Sequence, residues 1–450
     1  MSVPRYPKYK DSGVEWLGEV PAEWSVKPLK CVATLKGGGT PSKENLSYWE
    51  GDVPWASSKD LKSEWISDTQ DHISSTAIQD GVAELVPKSS VLVVVRGMIL
   101  LHSFPVTRLT RPMAINQDLK ALIPQSPLST DYLAWLLRGS TEETFARIDE
   151  AAHGTKVLRI DWWTSMLMPI PPVPEQALIA AFLDRETAKI DDLVAEQRRL
   201  IELLKEKRQA VISHAVTKGL NPHASMKPSG IEWLGDVPET WTLNKLGRAV
   251  FMQEGPGLRT WQFTDDGTRV ICVTNITETG IDFSRLEKFI SKDEYNSDYR
   301  HFTVRPGDVL LSSSGNSWGK VAIYEGEEEV ILNTSTIRLN ENDCASLNRD
   351  FIAILLQSDP VRKQLELAMT GSCQPNFGPT HLNSLLVAIP GRAEQYAIVE
   401  YVKTEIAKLD ALTAEAERAI DLLQERRTAL ISAAVTGKID VRGLVKSEAA

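Results

Sequence analysis

Ser12 to Trp24 reads SGVEWLGEVPAEW, and Ser229 to Trp241 reads SGIEWLGDVPETW. Nine of the thirteen positions are identical at an offset of 217, including both tryptophans, both glycines and the proline. A second matched pair follows. EQALIAAFLDRETAKIDDL from Glu175 answers EQYAIVEYVKTEIAKLDAL from Glu394, and ELLKEKRQAVISHAVT from Glu202 answers DLLQERRTALISAAVT from Asp421. The order is short motif, variable block, long helix, then the same three again. Internal repetition of this kind fixes the organisation before any local reading does.

The segments between the repeated motifs, roughly 31–170 and 248–388, share only a skeleton. Short β-branched runs such as Ser90 to Val95 and Val309 to Ser313 alternate with Gly, Pro, Asn and Ser turns, which predicts strands. Helical stretches intervene at Tyr132 to Arg138 and Phe351 to Gln357, so each block reads as mixed α and β. Pro169 to Pro174 (PIPPVP) reads as a stiff polyproline stop before the first long helix. In that helix Ile179, Leu183, Glu186, Ile190, Leu193, Gln197, Leu200, Leu204, Lys207 and Val211 step by fours and threes. Ile398, Val402, Glu405, Leu409, Leu412, Ala416, Ala419, Leu423, Arg426 and Leu430 repeat the pattern, which predicts two coiled-coil helices.

The expected fold is therefore α/β, in the mixed α+β sense, with a pseudo-two-fold internal repeat. Two globular domains are joined by two long helices packed as a coiled coil, antiparallel if the two copies are related by a two-fold axis crossing it. The boundaries read as domain 1 with its N-terminal framing motif at 1–170, helix 1 at 171–218 and a linker at 219–228. Domain 2 follows at 229–388, helix 2 at 389–436 and a C-terminal tail at 437–450.

Chemistry is harder to find. Four cysteines, Cys31, Cys272, Cys344 and Cys373, lie far apart with no CxxC pair, which fits a reducing cytosol and neither a disulfide framework nor structural zinc. The polar N-terminus has no apolar signal region, and Val91 to Leu101, broken by Arg96, is too short to span a bilayer. A soluble cytoplasmic protein is expected. The run Gly315-Asn-Ser-Trp-Gly319-Lys320-Val321 has three residues between its glycines where a P-loop has four, and Val321 where it needs Ser or Thr. Gly37-Gly38-Gly39 lacks the frame of a dinucleotide site. Asn221-Pro222-His223-Ala224 is a helix-terminating turn, and no histidines stand at metal-ligand spacing. Catalytic, cofactor-binding and metal-binding residues are expected to be none. The net charge of −10 leaves no basic sleeve, so binding to nucleic acid would rest on local patches or on a more basic partner.

The motif order resembles the specificity subunits of Type I restriction–modification systems. DSGVEWLGEVPAEW near the start, PIPPVPEQALIAAFLDRE leading into the first helix and RRTALISAAVTGKIDV near the end carry the resemblance, which covers nearly the whole chain. It implies a non-catalytic subunit with two target-recognition domains that read an asymmetric, bipartite double-stranded DNA site. It also implies two modification (methyltransferase) subunits as partners, which would supply S-adenosylmethionine, and restriction subunits, the ATP-dependent translocase and nuclease, which would use ATP and Mg. No membrane is involved.

Candidate DNA-binding residues follow from side chains that can hydrogen-bond to base edges or phosphates at matched places in both blocks. In the first block these are Arg96, Asn116, Gln117 and Lys156. In the second they are Ser314, Asn316, Lys320, Asn333, Gln374 and Asn376. Trp16, Trp24, Trp233 and Trp241 of the repeated motif are candidate partner-docking anchors, against the alternative that they cap each domain's core.

Overall fold

The computed structural model describes residues 4–151, 154–342, 346–369 and 376–444. The chain folds into two compact units, 1–197 with 418–450, and 198–417. Each boundary falls inside a long helix, so each unit takes one half of each.

In the first unit, β1 (Ser25–Pro28), β2 (Ala33–Gly37), β3 (Val53–Ala56), β4 (Trp65–Ile66), β5 (Asp71–Ile73), β6 (Leu85–Val86), β7 (Val91–Val94), β8 (Val106–Leu109), β9 (Met113–Ile115) and β10 (Leu119–Pro124) come first. α1 (Thr130–Gly139), β11 (Lys156–Leu158), β12 (Leu167–Ile170) and α2 (Val173–Lys218) follow. The strands form a five-stranded sheet, β2-β10-β7-β8-β4, and a four-stranded one, β5-β3-β9-β6. β7 is buried at every position, as a continuous β-branched run requires.

The second unit repeats this plan. β13 (Thr242–Lys245), β14 (Val250–Glu254), β15 (Phe263–Thr264), β16 (Thr268–Ile271), β17 (Phe289–Ile290), β18 (Thr303–Val304), β19 (Val309–Ser312), β20 (Val321–Ile323), β21 (Val330–Leu332) and β22 (Thr336–Glu341) precede α3 (Arg349–Leu356), β23 (Leu386–Ile389) and α4 (Arg392–Val435). The sheets run β14-β22-β19-β20 and β15-β17-β16-β21-β18. The parallel pairing of β3 with β9 recurs as β16 with β21.

The repeated Glu-Gln at the helix starts has a structural reason. Gln176 is fully buried; its Oε1 accepts from Ser129 N at 2.8 Å, and its Nε2 donates to the carbonyls of Pro127 and Pro171. Gln395 makes the same three bonds, with Asn348 N at 2.7 Å and the carbonyls of Ser346 and Pro390. One amide thus clamps each domain to its long helix, satisfying buried backbone groups on both sides. The framing motif does the same at the far helix ends. α2 stops at Gly219 (φ +73°), against Pro238 and Trp241, and α4 stops at Gly437 (φ +74°), where a Cβ would meet Pro21 at 2.3 Å. Only glycine adopts this left-handed cap at so close an approach.

PIPPVP is not a polyproline stop. Its first half is β12, paired antiparallel with β1 so that Pro169 faces Val26, and its second half opens α2. Proline is tolerated on a two-stranded edge and in a first helical turn, and both are used here.

The helical seam also differs from the expected one. Ile190, Val194, Ile201, Leu204 and Ile212 are buried, whereas Leu193 and Leu200 are 44% and 42% exposed. In α4, Leu409 and Ala416 are buried and Leu412 is 49% exposed. The alternating three-four rhythm holds, but three of its members lie one residue further along, at Val194, Ile201 and Thr413. Leucine periodicity picked one of two adjacent positions, while the inward one is held by a β-branched residue, Val194, Ile201 or Thr413. Within the first unit, Arg427 of α4 pairs with Asp191 of α2 at 3.1 Å, and the ends Ile179 to Leu183 and Ile431 to Val435 share one core. Within the second, Arg208 pairs with Asp410, and Ile212 to Val216 share a core with Ile398 to Val402. In each unit the two half-helices therefore run antiparallel.

Arg108 of β8 has its side chain fully buried. It lies 3.0 Å from Asp131 of α1 and 3.3 Å from Asp184 of α2 and from Glu64, with its guanidinium 3.8 Å from the centre of the Trp65 ring. Removing one member of such a cluster strands the others, so it pins sheet to helix.

Candidate nucleic-acid interface

At one edge of the first unit, the exits of β7 and β9 meet β11. Arg96 follows β7 and bridges to Val157 of β11, and Gly97 N donates to Lys156 O at 2.9 Å. Val95 N donates to Asp118 O at 2.8 Å, which draws in the turn after β9. Arg96 is exposed and makes no ion pair among the described residues. Lys156 pairs with Glu150 at 2.7 Å, and this hydrogen bond holds the Glu150 carboxyl below its usual range. Gln117 is exposed at the turn and accepts a hydrogen bond from the Thr40 hydroxyl.

Asn116 does not face outward. It is 7% exposed, and its Oδ1 accepts from Asp118 N at 3.1 Å, closing a side-chain turn between β9 and β10. Behind it, Gly38 passes so close that a Cβ would stand 1.9 Å from Ile115 O. The glycine run is a close-approach device for this loop.

The second unit builds the same edge with other side chains. Ser314 occupies the place of Arg96 and bridges to Asn376, with Phe377 N donating to Ser313 O at 3.1 Å. Asn316 is exposed in the turn Gly315–Ser317, and Lys320 closes that turn with its carbonyl accepting from Ser312 N. Asn333 takes the place of Asn116 and is likewise turned inward. Its Nδ2 lies 3.3 Å from the Cys272 sulfur, and its buried Oδ1 has no hydrogen-bond partner. Thr334, which follows, is exposed, and its hydroxyl donates to Pro256 O at 3.0 Å. Gly255 repeats the close approach, with a Cβ 2.1 Å from Asn333 O. Gln374 lies outside the described residues.

Of the candidates, then, Arg96, Gln117 and Lys156 meet at one surface, and Ser314, Asn316, Lys320 and Asn376 at another. Asn116 and Asn333 are both turned inward: the Asn116 amide closes the three-residue link from β9 to β10, and the Asn333 amide meets the Cys272 sulfur beside the link from β21 to β22. Missed by the sequence reading were Thr40, Leu46, Arg259 and Trp261, on the loops after β2 and β14. A tryptophan set in a Gly-Pro-Gly loop was the available signal.

Residues 21–203 match a family model described as the Type I restriction modification DNA specificity domain. The Type I restriction enzyme MjaIX specificity subunit of Methanocaldococcus jannaschii is 22% identical over 443 residues, covering 95% of this chain and 96% of the relative. The MjaVIII specificity subunit of the same organism is 24% identical over 318 residues, covering 70% of this chain and 71% of the relative. The EcoR124I/EcoR124II specificity subunit of Escherichia coli is 32% identical over 207 residues, covering 45% and 50%. The chain is thus similar to Type I specificity subunits along nearly its whole length, and its residues 21–203 match the family's DNA specificity domain. A chain from a solved Type I R-M system aligns with a TM-score of 0.69 at 13% identity, covering 92% of this chain and 98% of that one. The HsdS subunit from Thermoanaerobacter tengcongensis aligns at 0.52 and 14%, covering 93% and 98%. These two likenesses bear on the fold.

In this chain the framing tryptophans divide into two kinds. Trp24 and Trp241 are 1% and 0% exposed. Trp241 Nε1 donates to Glu394 at 2.9 Å, while the matching Glu175 is taken by the Tyr6 hydroxyl at 2.5 Å, leaving Trp24 Nε1 without a partner. Burial and the Glu175 hydrogen bond together raise the Tyr6 hydroxyl far above its ordinary range. Trp24 and Trp241 are thus core residues, not surface anchors, because each seals the junction between the framing motif and a helix end. Trp16 and Trp233 are half-buried against the same cores and keep an exposed face. Among the described residues Cys31 and Cys272 are free thiols, and Cys344 and Cys373 lie outside them. No helix among the described residues is long and apolar enough to cross a membrane.

Proposed function

We propose that the chain is the non-catalytic DNA-reading subunit of a Type I restriction–modification complex and recognises an asymmetric target in two parts. One observation carries the bipartite reading: the same edge is built twice on one backbone plan, with different side chains at equivalent places. Arg96 stands against Ser314, Gln117 against Thr334 and Val157 against Asn376. Guanidinium, amide and hydroxyl groups select different base edges, so two such surfaces prefer different half-sites.

The same duplication supports two copies of a modification subunit as partners. Leu193 and Leu412, and likewise Leu203 and Leu422, are equivalent at an offset of 219. All four are between 44% and 59% exposed, though each sits on a helix otherwise packed into a core. In this reading S-adenosylmethionine belongs to the modification subunits, ATP and Mg to the restriction subunits, and none of them to this chain. The complex works in the cytoplasm.

Methylome sequencing of cells that carry the chain with its modification subunit tests the proposal. The expected result is one split, asymmetric methylated motif that disappears when the chain is deleted. Methylation by the purified chain alone, or a motif indifferent to its deletion, would overturn it.

A further inference from the structure

In the second unit the loop after β14 runs Gly255-Pro256-Gly257 into a single 3-10 turn, Thr260–Gln262, which holds Trp261 at 79% exposure. The turn is anchored from beneath. Gln262 is buried; its Oε1 accepts from Arg259 N at 2.8 Å, and its Nε2 donates to the Tyr299 hydroxyl at 3.0 Å and to the Glu294 carboxylate. The indole itself touches water, and so forgoes the hydrophobic gain that usually buries tryptophan.

The first unit carries an apolar counterpart. In the loop after β2, Leu46 opens the turn Leu46–Tyr48 and is 68% exposed. That turn is also fixed below, by Trp49 Nε1 donating to Ser42 O at 3.1 Å and by Trp49 packed edge-on against Trp55 at 5.1 Å. Trp55 Nε1 in turn donates to Gly39 O at 2.9 Å. Each unit therefore projects one large apolar side chain from a rigid turn on the loop that also meets its reading surface. The Thr40 hydroxyl bonds Gln117 in one unit, and the Thr334 hydroxyl bonds Pro256 O in the other.

We propose that Trp261 and Leu46 are wedge residues, each entering a base step of the half-site that its own unit reads. The inference rests on the DNA-recognition reading above and deepens it. Continuity with the two reading surfaces favours duplex DNA as the occupant. So does the setting of Trp261, whose exposed neighbours in sequence, Arg259, Thr260, Thr264, Asp265 and Asp266, are all polar. A protein face with a broad apolar patch finds no match there, whereas one base step does. Arg259 makes no ion pair among the described residues and can meet the flanking phosphate. Apolar side chains inserted at a step unstack it and bend the duplex, and stacking on a base is insensitive to which base it is. The wedges would then set local DNA shape while the edges read sequence.

The test uses the assembled complex of the full chain and its modification subunits, with target duplexes carrying 2-aminopurine at successive steps of each half-site. Wild type should brighten one step in each half. Trp261→Ala should abolish the signal in the half-site of the second unit and weaken binding by roughly ten- to a hundred-fold, with Trp261→Phe keeping part of both. Leu46→Ala should silence the other half-site only. Unchanged fluorescence and affinity in both alanine variants would overturn the inference. So would weakened assembly with the modification subunits in the absence of DNA, which would assign Trp261 to a protein interface. A wild-type complex that bound no specific duplex would instead sink the reading of the whole chain, and the wedges with it.

Discussion

Glu254 closes β14 beside the Asn333 turn, half-buried, with an oxygen 3.6 Å from where a Cβ on Gly378 would stand. Burial pushes its carboxyl up, and a hydrogen bond from the Ser335 backbone only partly opposes this. A carboxyl that is harder to ionise when folded than when unfolded costs stability once both states are ionised. That cost vanishes as pH falls below the unfolded value, where both are neutral. Glu254→Gln is therefore expected to be more resistant to urea than wild type at pH 7, with the gap closing toward pH 4. Equal or lower stability at pH 7 would show that the Ser335 bond outweighs desolvation. Residue type alone could not reveal such environments. Asn116, Asn333 and Gln117 look equally suited to base edges in the sequence, yet the first two turn inward while Gln117, next to Asn116 in the same turn, faces solvent, because facing is decided by the backbone geometry at each position of the turn.

At the scale of elements, the strands and long helices were legible because their signals are periodic and local. β7 and β19, α1 and α3, and both long helices appear where β-branched runs and heptad spacing put them. The phase of the helical seam was not legible, since Leu193 and Val194 are both apolar and only packing chooses between them. The difference is measurable. Leu183→Ala, in a fully buried position, should cost about 3 kcal/mol of unfolding free energy by urea titration. Leu193→Ala should cost less than about 1 kcal/mol and instead lower the yield of complex with the modification subunit. Equal destabilisation by the two would restore Leu193 to the seam. The ion pair Arg208–Asp410 contributes little by comparison, because both side chains reach solvent.

For the whole chain, the repeat makes the reading blocks exchangeable. Each block enters and leaves through the same contacts, β1 with β12 or β13 with β23, and the same glutamine clamp. Replacing residues 248–388 with 31–170 should then yield a methylated target that is palindromic, read out by methylome sequencing. An unchanged asymmetric target would refute modular reading. The repeat was plain from the sequence; how it closes on itself was not, because that depends on contacts between the two ends. In the first unit Asp440 N donates to Pro4 O at 2.8 Å, the Tyr9 hydroxyl donates to Gly437 O, and Arg185 of α2 reaches Leu444 O. In the second unit the equivalent junction, from Gly219 to the framing motif, is continuous peptide. Hydrogen bonds thus hold together in the first unit what a peptide link holds in the second. Joining the segment after Leu444 to the one before Pro4 and opening the linker near Asn221 is expected to leave these contacts in place, so the same fold can be written in more than one gene order.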